Sequence, residues 1–173
     1  MNSDYVILVD EQDNQLGTME KLQAHVEAKL HRAISVFIFN SNKELLLQKR
    51  AANKYHSASL WTNTCCSHPK PNENTANAAK RRLKEEMGID CNLQAAFNFT
   101  YLAKLENDIT EHEFDHVFFG FTDDIPTLNL EEASNYKYLS LDEIKNQLEK
   151  NPEQFTVWFT LIFERVKTEL STT

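Results

Sequence analysis

Between Trp61 and Ile89 the chain reads WTNTCCSHPKPNENTANAAKRRLKEEMGI: a loop with two adjacent thiols and a histidine, running into a helix with a basic pair and a carboxylate pair. Asn74 or Thr75 caps that helix, since a short polar side chain accepts from the free N–H groups of the first turn. Gly88 ends it, where a left-handed residue is wanted. Ala76, Ala79, Leu83 and Met87 recur every three or four residues and are expected to form its buried stripe. Arg82 and Glu86, four apart, share another face, with Glu85 beside it. The small alanines let the helix approach a sheet closely. Alone, such a segment is an amphipathic helix with a solvated charged face; the loop in front of it adds the chemistry.

On the N-terminal side, Ala33–Phe39 and Glu44–Arg50 read as strands joined by a hairpin turn at Asn40–Lys43. Before them come a strand at Tyr5–Asp10, a short extended piece at Gly17–Glu20, and a helical or irregular stretch, Lys21–Leu30, carrying His25. His31 follows directly. Arg50 and Lys54 lie at the exit of the return strand. On the C-terminal side, Leu93–Leu105 alternates, putting Leu93, Ala95, Phe97, Phe99, Tyr101 and Ala103 on one face. The same rule applied to the strand Glu111–Thr122 puts Glu111, Glu113 and Asp115 on a face that continues into Val117, Phe119 and Phe121. Unpaired buried carboxylates cost several kcal/mol each, so a cation must offset them, and a divalent one does it best. Tyr136–Leu139 is a short strand. Ser140 and Glu143 form a capping box that starts a helix to about Lys150, which Asn151-Pro152 breaks. A last helix, Phe155 to Glu169, presents Trp158, Phe159, Ile162, Phe163 and Val166 on a wide apolar face. One mixed sheet between helices, a single α/β domain over residues 1–173, accounts for this order.

Composition narrows the function classes. The 173 residues are 41% hydrophobic and 25% charged, as in an ordinary globular protein. A net charge of −8 with no compensating basic face excludes general nucleic-acid binding. An acidic protein can still hold a diphosphate through a metal or a local cluster of Lys and Arg. Three cysteines, two of them adjacent, make neither a disulfide framework nor a CxxC zinc site. No charged-then-apolar leader opens the sequence and no apolar run reaches membrane length, so the cytoplasm is the expected location, with no membrane partner.

Two motifs carry a resemblance. From Ser67, five residues lead to Glu73, seven more to Arg81, and then the chain runs Arg82-Leu83-Lys84-Glu85-Glu86-Met87-Gly88-Ile89. This resembles the Nudix box, with Ser67 where the box has glycine and Arg82 where it has glutamate. The box glutamates bind magnesium and help activate water in the hydrolases, so a cation in place of one weakens the case for hydrolysis. The run Trp61–Pro69 is similar to the cysteine segment of the type I isopentenyl-diphosphate isomerases, which have the Nudix fold. The likeness extends over nearly the whole chain and implies an α/β/α sandwich with a mixed sheet. It also implies a 1,3 proton shift converting isopentenyl diphosphate into dimethylallyl diphosphate, a step of isoprenoid biosynthesis.

The resemblance further implies a metal site of His25, His31, His68, Glu111 and Glu113 for manganese, zinc or magnesium, and no flavin. A second site is implied at Glu86, where magnesium bridges to the diphosphate. Lys21, Arg50, Lys54 and Arg82 are expected to hold that diphosphate, with Lys80, Arg81 and Lys84 left as solvated or salt-bridged residues. Cys66 and Glu113 form the expected acid–base pair, helped by Tyr101. In an extended segment Cys66 and His68 share a side and Cys65 takes the other. A thiol beside a cation and His68 is expected to ionise easily and act as a thiolate base. Trp158 and Trp61 are candidates for the pocket wall. His112 and His116 are read as bystanders, His56 as a surface residue, and Asp115 as a neighbour of the site without a role. The expected partner is a small diphosphate, and the expected state a monomer or weak homodimer. The nearest competing reading is a Nudix hydrolase of a nucleoside diphosphate derivative, which leaves Cys66, His68 and the Glu111/Glu113 pair without a task. A catalytically silent Nudix binding module is a second, and would show the loss of a catalytic or metal position.

Overall fold

The computed structural model describes residues 4–173. Strand β3 (His31–Phe39) is its axis. Strand β8 (Thr110–Phe121) runs parallel to it in register, from His31 beside Glu113 to Phe39 beside Phe121. The other edge of β3 is shared. β1 (Tyr5–Val9) pairs at His31, β6 (Cys65–Ser67) pairs antiparallel at Ile34–Val36, and β4 (Leu45–Arg50) touches only at Phe39. The hairpin read between β3 and β4 is therefore splayed after one residue pair. β4 turns away to pair with β5 (Trp61–Thr62) and β9 (Ala133–Leu139), and the gap it leaves admits β6. β2 (Gln15–Glu20) completes the β1 edge and β7 (Leu93–Lys104) the β8 edge.

Alternation along β3 sends Ile34, Val36 and Ile38 to one side of the sheet and Phe37 and Phe39 to the other. The first side is covered by α2 (Thr75–Met87), through Ala78, Ala79, Leu83 and Met87. Ala76 is exposed, so the stripe expected on this helix is displaced to Ala78. Asn74 caps it by accepting from the Asn77 N–H, and Gly88 ends it at φ 67°. A Cβ on Gly88 would also lie 2.7 Å from the Thr127 carbonyl oxygen, so the turn requires glycine twice over. The second side is covered by α3 (Leu141–Lys150), which opens on the Ser140/Glu143 capping box, and by α4 (Val157–Ser171). The expected α4 face, Trp158, Phe159, Ile162, Phe163 and Val166, is the buried one. β7 departs from simple alternation: a bulge between Ala95 and Phe97 sends Leu93 toward α2 and Phe97 and Phe99 toward α4. The short helix α1 (Lys21–Val26) closes the end of the sheet where β8 begins.

Candidate active site

A cavity of about 780 Å³ opens at that end of the sheet. Its floor is set by register. His31 on β3, Glu113 on β8 and Tyr101 on β7 are cross-strand neighbours, so all three project from the α4 side. The Tyr101 hydroxyl is 2.8 Å from Glu111 Oε2 and 2.8 Å from Glu113 Oε2. His68, just past β6, brings Nε2 to 3.0 Å from Glu113 Oε1, and His31 Nε2 lies 3.5 Å from the same oxygen. His25 comes from α1 and sets Nε2 3.9 Å from Glu111 Oε1. The five residues expected to hold a metal thus converge from three elements and one loop.

Tautomers show that they fit one. His25 Nδ1 lies 2.7 Å from the Lys21 carbonyl oxygen and His31 Nδ1 2.8 Å from that of Lys29. A carbonyl only accepts, so each Nδ1 carries the hydrogen and each Nε2 presents a lone pair. Those two Nε2 atoms are buried and have no hydrogen-bond partner among the described residues. Donor atoms of His25, His31, His68 and Glu113 lie within 4.8 Å of one another, and a second, overlapping group joins His25 to His56 and Glu111. Carbonyl-anchored imidazoles beside carboxylates suit a divalent cation. Burial favours the neutral imidazole that ligation requires, lowering His25 and bringing His68 down to about 4. Burial and the charge of Glu113 raise Glu111 well above the carboxylate range. Burial works against ionising Glu113 too, but hydrogen bonding from His68 favours the charged form, and that carboxyl is held well below. Asp115, 2.6 Å from Ser35 Oγ, is raised to about 8 by burial and by Glu113.

His56 corrects the surface reading. It is buried, and its Nε2 is 3.4 Å from Glu111 Oε1. Ser57 and Ser59, at φ 51° and 61°, bend the loop so that the ring turns inward. The Arg50 guanidinium holds the His56 carbonyl at 3.2 Å. A histidine in a polar loop has no periodicity to reveal its side, and positive φ at serine leaves no trace in sequence.

Cys66 pairs across from Ser35, and Cys65 across from Val36, so the two thiols face opposite sides of the sheet. Cys66 Sγ receives the Trp158 indole N–H at 3.2 Å and donates to Asn63 Oδ1 at 2.9 Å. Burial and the nearby Asp115 raise this thiol, so it holds its proton; the easily ionised thiolate expected from sequence is corrected. Cys65 faces α2 within the core, where its thiol donates to Glu86 Oε2 at 2.7 Å.

The opposite bank of the cavity is α2. Arg82 donates to Glu86 at 3.0 Å and to Glu85 at 2.7 Å, and lies 3.4 Å from Glu132, which also holds Lys54. Lys21 lines the cavity 2.9 Å from Asp4, and the Arg50 guanidinium stands 5.3 Å over the Trp158 ring. All four expected diphosphate-binding cations therefore reach the cavity, three of them paired with carboxylates. Trp158 is part of the wall. Trp61 is not: its ring packs beside the α4 core with Lys137 Nζ 4.1 Å above it. His112 and His116 point away, to the Ala28 carbonyl and to Asp13. Lys80, Arg81 and Lys84 pair with Asp90, Glu73 and Asp90 in turn.

A NUDIX domain model matches residues 29–159. The isopentenyl-diphosphate Delta-isomerase of Pectobacterium atrosepticum is 56% identical over 161 residues, covering 93% of this chain and 90% of that protein. The chain belongs to the isopentenyl-diphosphate Delta-isomerase family. Another family member, isopentenyl-diphosphate Delta-isomerase 2 of Aromatoleum aromaticum, is 53% identical over 163 residues, covering 94% of this chain and 86% of its own length. Solved structures share the fold at low identity. A Deinococcus radiodurans protein superposes with a TM-score of 0.80 at 17% identity, covering 94% of this chain and 98% of its own. A MutT protein from Methanosarcina mazei gives 0.67 at 22%, covering 81% and 94%. Among the described residues no helix is long and apolar enough to cross a membrane.

Proposed function

We propose that this family member interconverts isopentenyl and dimethylallyl diphosphate by a 1,3 proton shift, with Cys66 and the Glu113–Tyr101 pair moving the protons. The observation that carries the reading is the placement of a proton-bearing thiol and a buried, tyrosine-bridged carboxylate pair in one cavity whose other bank carries Arg82 and Lys54. In the forward direction one proton is added to the terminal methylene carbon, leaving a tertiary cation, and one is lost from the carbon bearing the diphosphate-linked methylene, which restores the double bond. One group must give a proton and the other take one. Cys66 Sγ, held between the Trp158 N–H and Asn63, and Glu113, held by Tyr101 and His68, are the two groups. Trp158 presents an aromatic wall, which stabilises a desolvated cation by roughly 2 kcal/mol. The cavity shields the cation from water, which would trap it.

Lys21, Arg50, Lys54 and Arg82 bind the diphosphate in this reading, and Glu86 would be the residue to hold a magnesium ion. A divalent cation at His25, His31, His68, Glu111 and Glu113 supplies the positive charge that offsets two buried carboxylates. Manganese, zinc and magnesium all suit that donor set. A hydrolase reading assigns no work to Cys66 or to the strand carboxylates, and Arg82 stands paired with Glu86 where a hydrolase needs a second acid.

Proton NMR of isopentenyl diphosphate in heavy water, with protein and magnesium, tests the activity. Appearance of dimethylallyl diphosphate with deuterium in its methyl groups is expected. Release of phosphate with no change at the alkene would overturn it.

A further inference from the structure

We propose that His56 is a positioning residue: its Nε2–H holds Oε1 of Glu111, fixing that carboxylate for the cation and for Tyr101. The proposal rests on the reading of the His/Glu cluster as a divalent-cation site. Four imidazoles approach the two glutamates, and their tautomers divide them. His25 and His31 are committed to the lone-pair form at Nε2, because their Nδ1 atoms face carbonyls. His56 is different, since its Nδ1 faces a hydroxyl, Ser57 Oγ at 3.2 Å. A hydroxyl can donate, which leaves the ring free to carry its hydrogen on Nε2, the atom 3.4 Å from Glu111 Oε1.

Glu111 needs that donor. Its Oε2 accepts from Tyr101, whereas Oε1 receives no hydrogen bond of normal geometry among the described residues, and His56 Nε2 is nearer to it than His25 Nε2, at 3.4 against 3.9 Å. His25 cannot serve, as its hydrogen is spent on Lys21. The loop is also constrained to present His56: two left-handed serines flank its turn, Arg50 grips its carbonyl, and its ring packs edge-on to Trp158 with centroids 5.8 Å apart. Strained backbone persists only where surrounding contacts over-determine it, and it gathers at functional sites. Hydrogen bonds to ligating carboxylates orient them, and their loss weakens metal binding about 10- to 100-fold.

The test is calorimetric titration of Mn²⁺ into the chelator-stripped full chain, for the parent and for His56→Ala, His56→Gln and His56→Asn. A glutamine amide reaches the place of Nε2; an asparagine amide stops at that of Nδ1. We expect Ala and Asn to weaken Mn²⁺ about 10- to 100-fold, while Gln stays near the parent and the metal-free melting temperature is preserved. Turnover at saturating Mn²⁺ should stay nearest the parent in the Gln variant, a rescue that a general folding defect would not show. Equal affinity in the parent, Gln and Asn variants overturns the role of His56, and decides the matter even where the alanine protein does not fold. No Mn²⁺ binding by the parent would instead overturn the cation site itself.

Discussion

The two banks of the cavity treat buried carboxylates in opposite ways. On the strand bank, Glu111, Glu113 and Asp115 face imidazoles, a phenol and a serine hydroxyl, with no lysine or arginine in contact among the described residues. On the helix bank, Glu86 and Glu132 are met by Arg82 and Lys54. Both sets come from regular elements, so the difference is one of charge supply. The helix bank is balanced from within the chain and any cation arriving there competes with Arg82. The strand bank is balanced only by a proton or by a cation from outside. Chemistry that moves protons belongs on the second, and anion binding on the first.

That contrast can be broken most decisively at Glu113. Glu113→Gln keeps the shape but cannot carry a proton, and should lower turnover by about 10⁴ with the fold intact. Isomerisation followed by NMR, with circular dichroism as the fold control, decides it; a near-normal rate would move the proton transfer to Tyr101. The next largest effect separates the thiols. Cys66→Ala should lose on the order of 10²–10⁴ in rate, and Cys65→Ala little beyond some stability. An epoxide analogue should label Cys66 alone, and peptide mapping that finds it on Cys65 would contradict the assignment of sides. On the helix bank the loss should fall on binding. Arg82→Glu should raise the Michaelis constant about tenfold, equivalent to roughly 1.4 kcal/mol, with a smaller change in turnover; an unchanged constant would free Arg82 from the diphosphate. The smallest effect is structural. Arg81 makes a two-pronged contact with Glu73 at 2.8 and 2.9 Å, and Arg81→Ala should cost about 1–2 kcal/mol in urea unfolding. Hydrogen bonding from Arg81 depresses the Glu73 pKa. The contribution is therefore present above the unfolded-state value and lost as pH falls through the folded one. The variant and parent should converge in stability in acid; a gap that persists there would mean packing, not charge.

Period and punctuation made most of the scaffold readable. The strands around Val36 and Val117, the caps at Asn74 and Ser140, the stop at Gly88 and the apolar face of α4 all follow from local rules. What escaped is non-local or sits in backbone detail. The displacement from Ala76 to Ala78 depends on where β6 presses on α2, and the β7 face switch depends on one bulged residue. The splay of β3 from β4 is dictated by β6, which pairs from a stretch about thirty residues downstream. In the site, Cys66, His68, Tyr101 and the glutamates could be grouped because alternation and a family likeness agreed. His56 could not, since strained serines turn it inward, and Trp61 was misplaced because its ring packs beside the α4 core and not in the cavity. That Lys21, Lys54 and Arg82 already have acidic partners is a fact of three dimensions only.

The parallel pairing of β3 with β8 also governs when the site can exist during folding. His31 and Glu113 are adjacent across that ladder but separated by roughly 80 residues of chain, so joining them closes a long loop before any contact compensates its entropy. Helix α2, by contrast, is capped at both ends by its own neighbours and can form early. Refolding followed by helix signal and by Mn²⁺ uptake should therefore show two clocks, with ion capture on the slower one. A newly made chain would be unable to bring His31 and Glu113 together until β3 and β8 have paired.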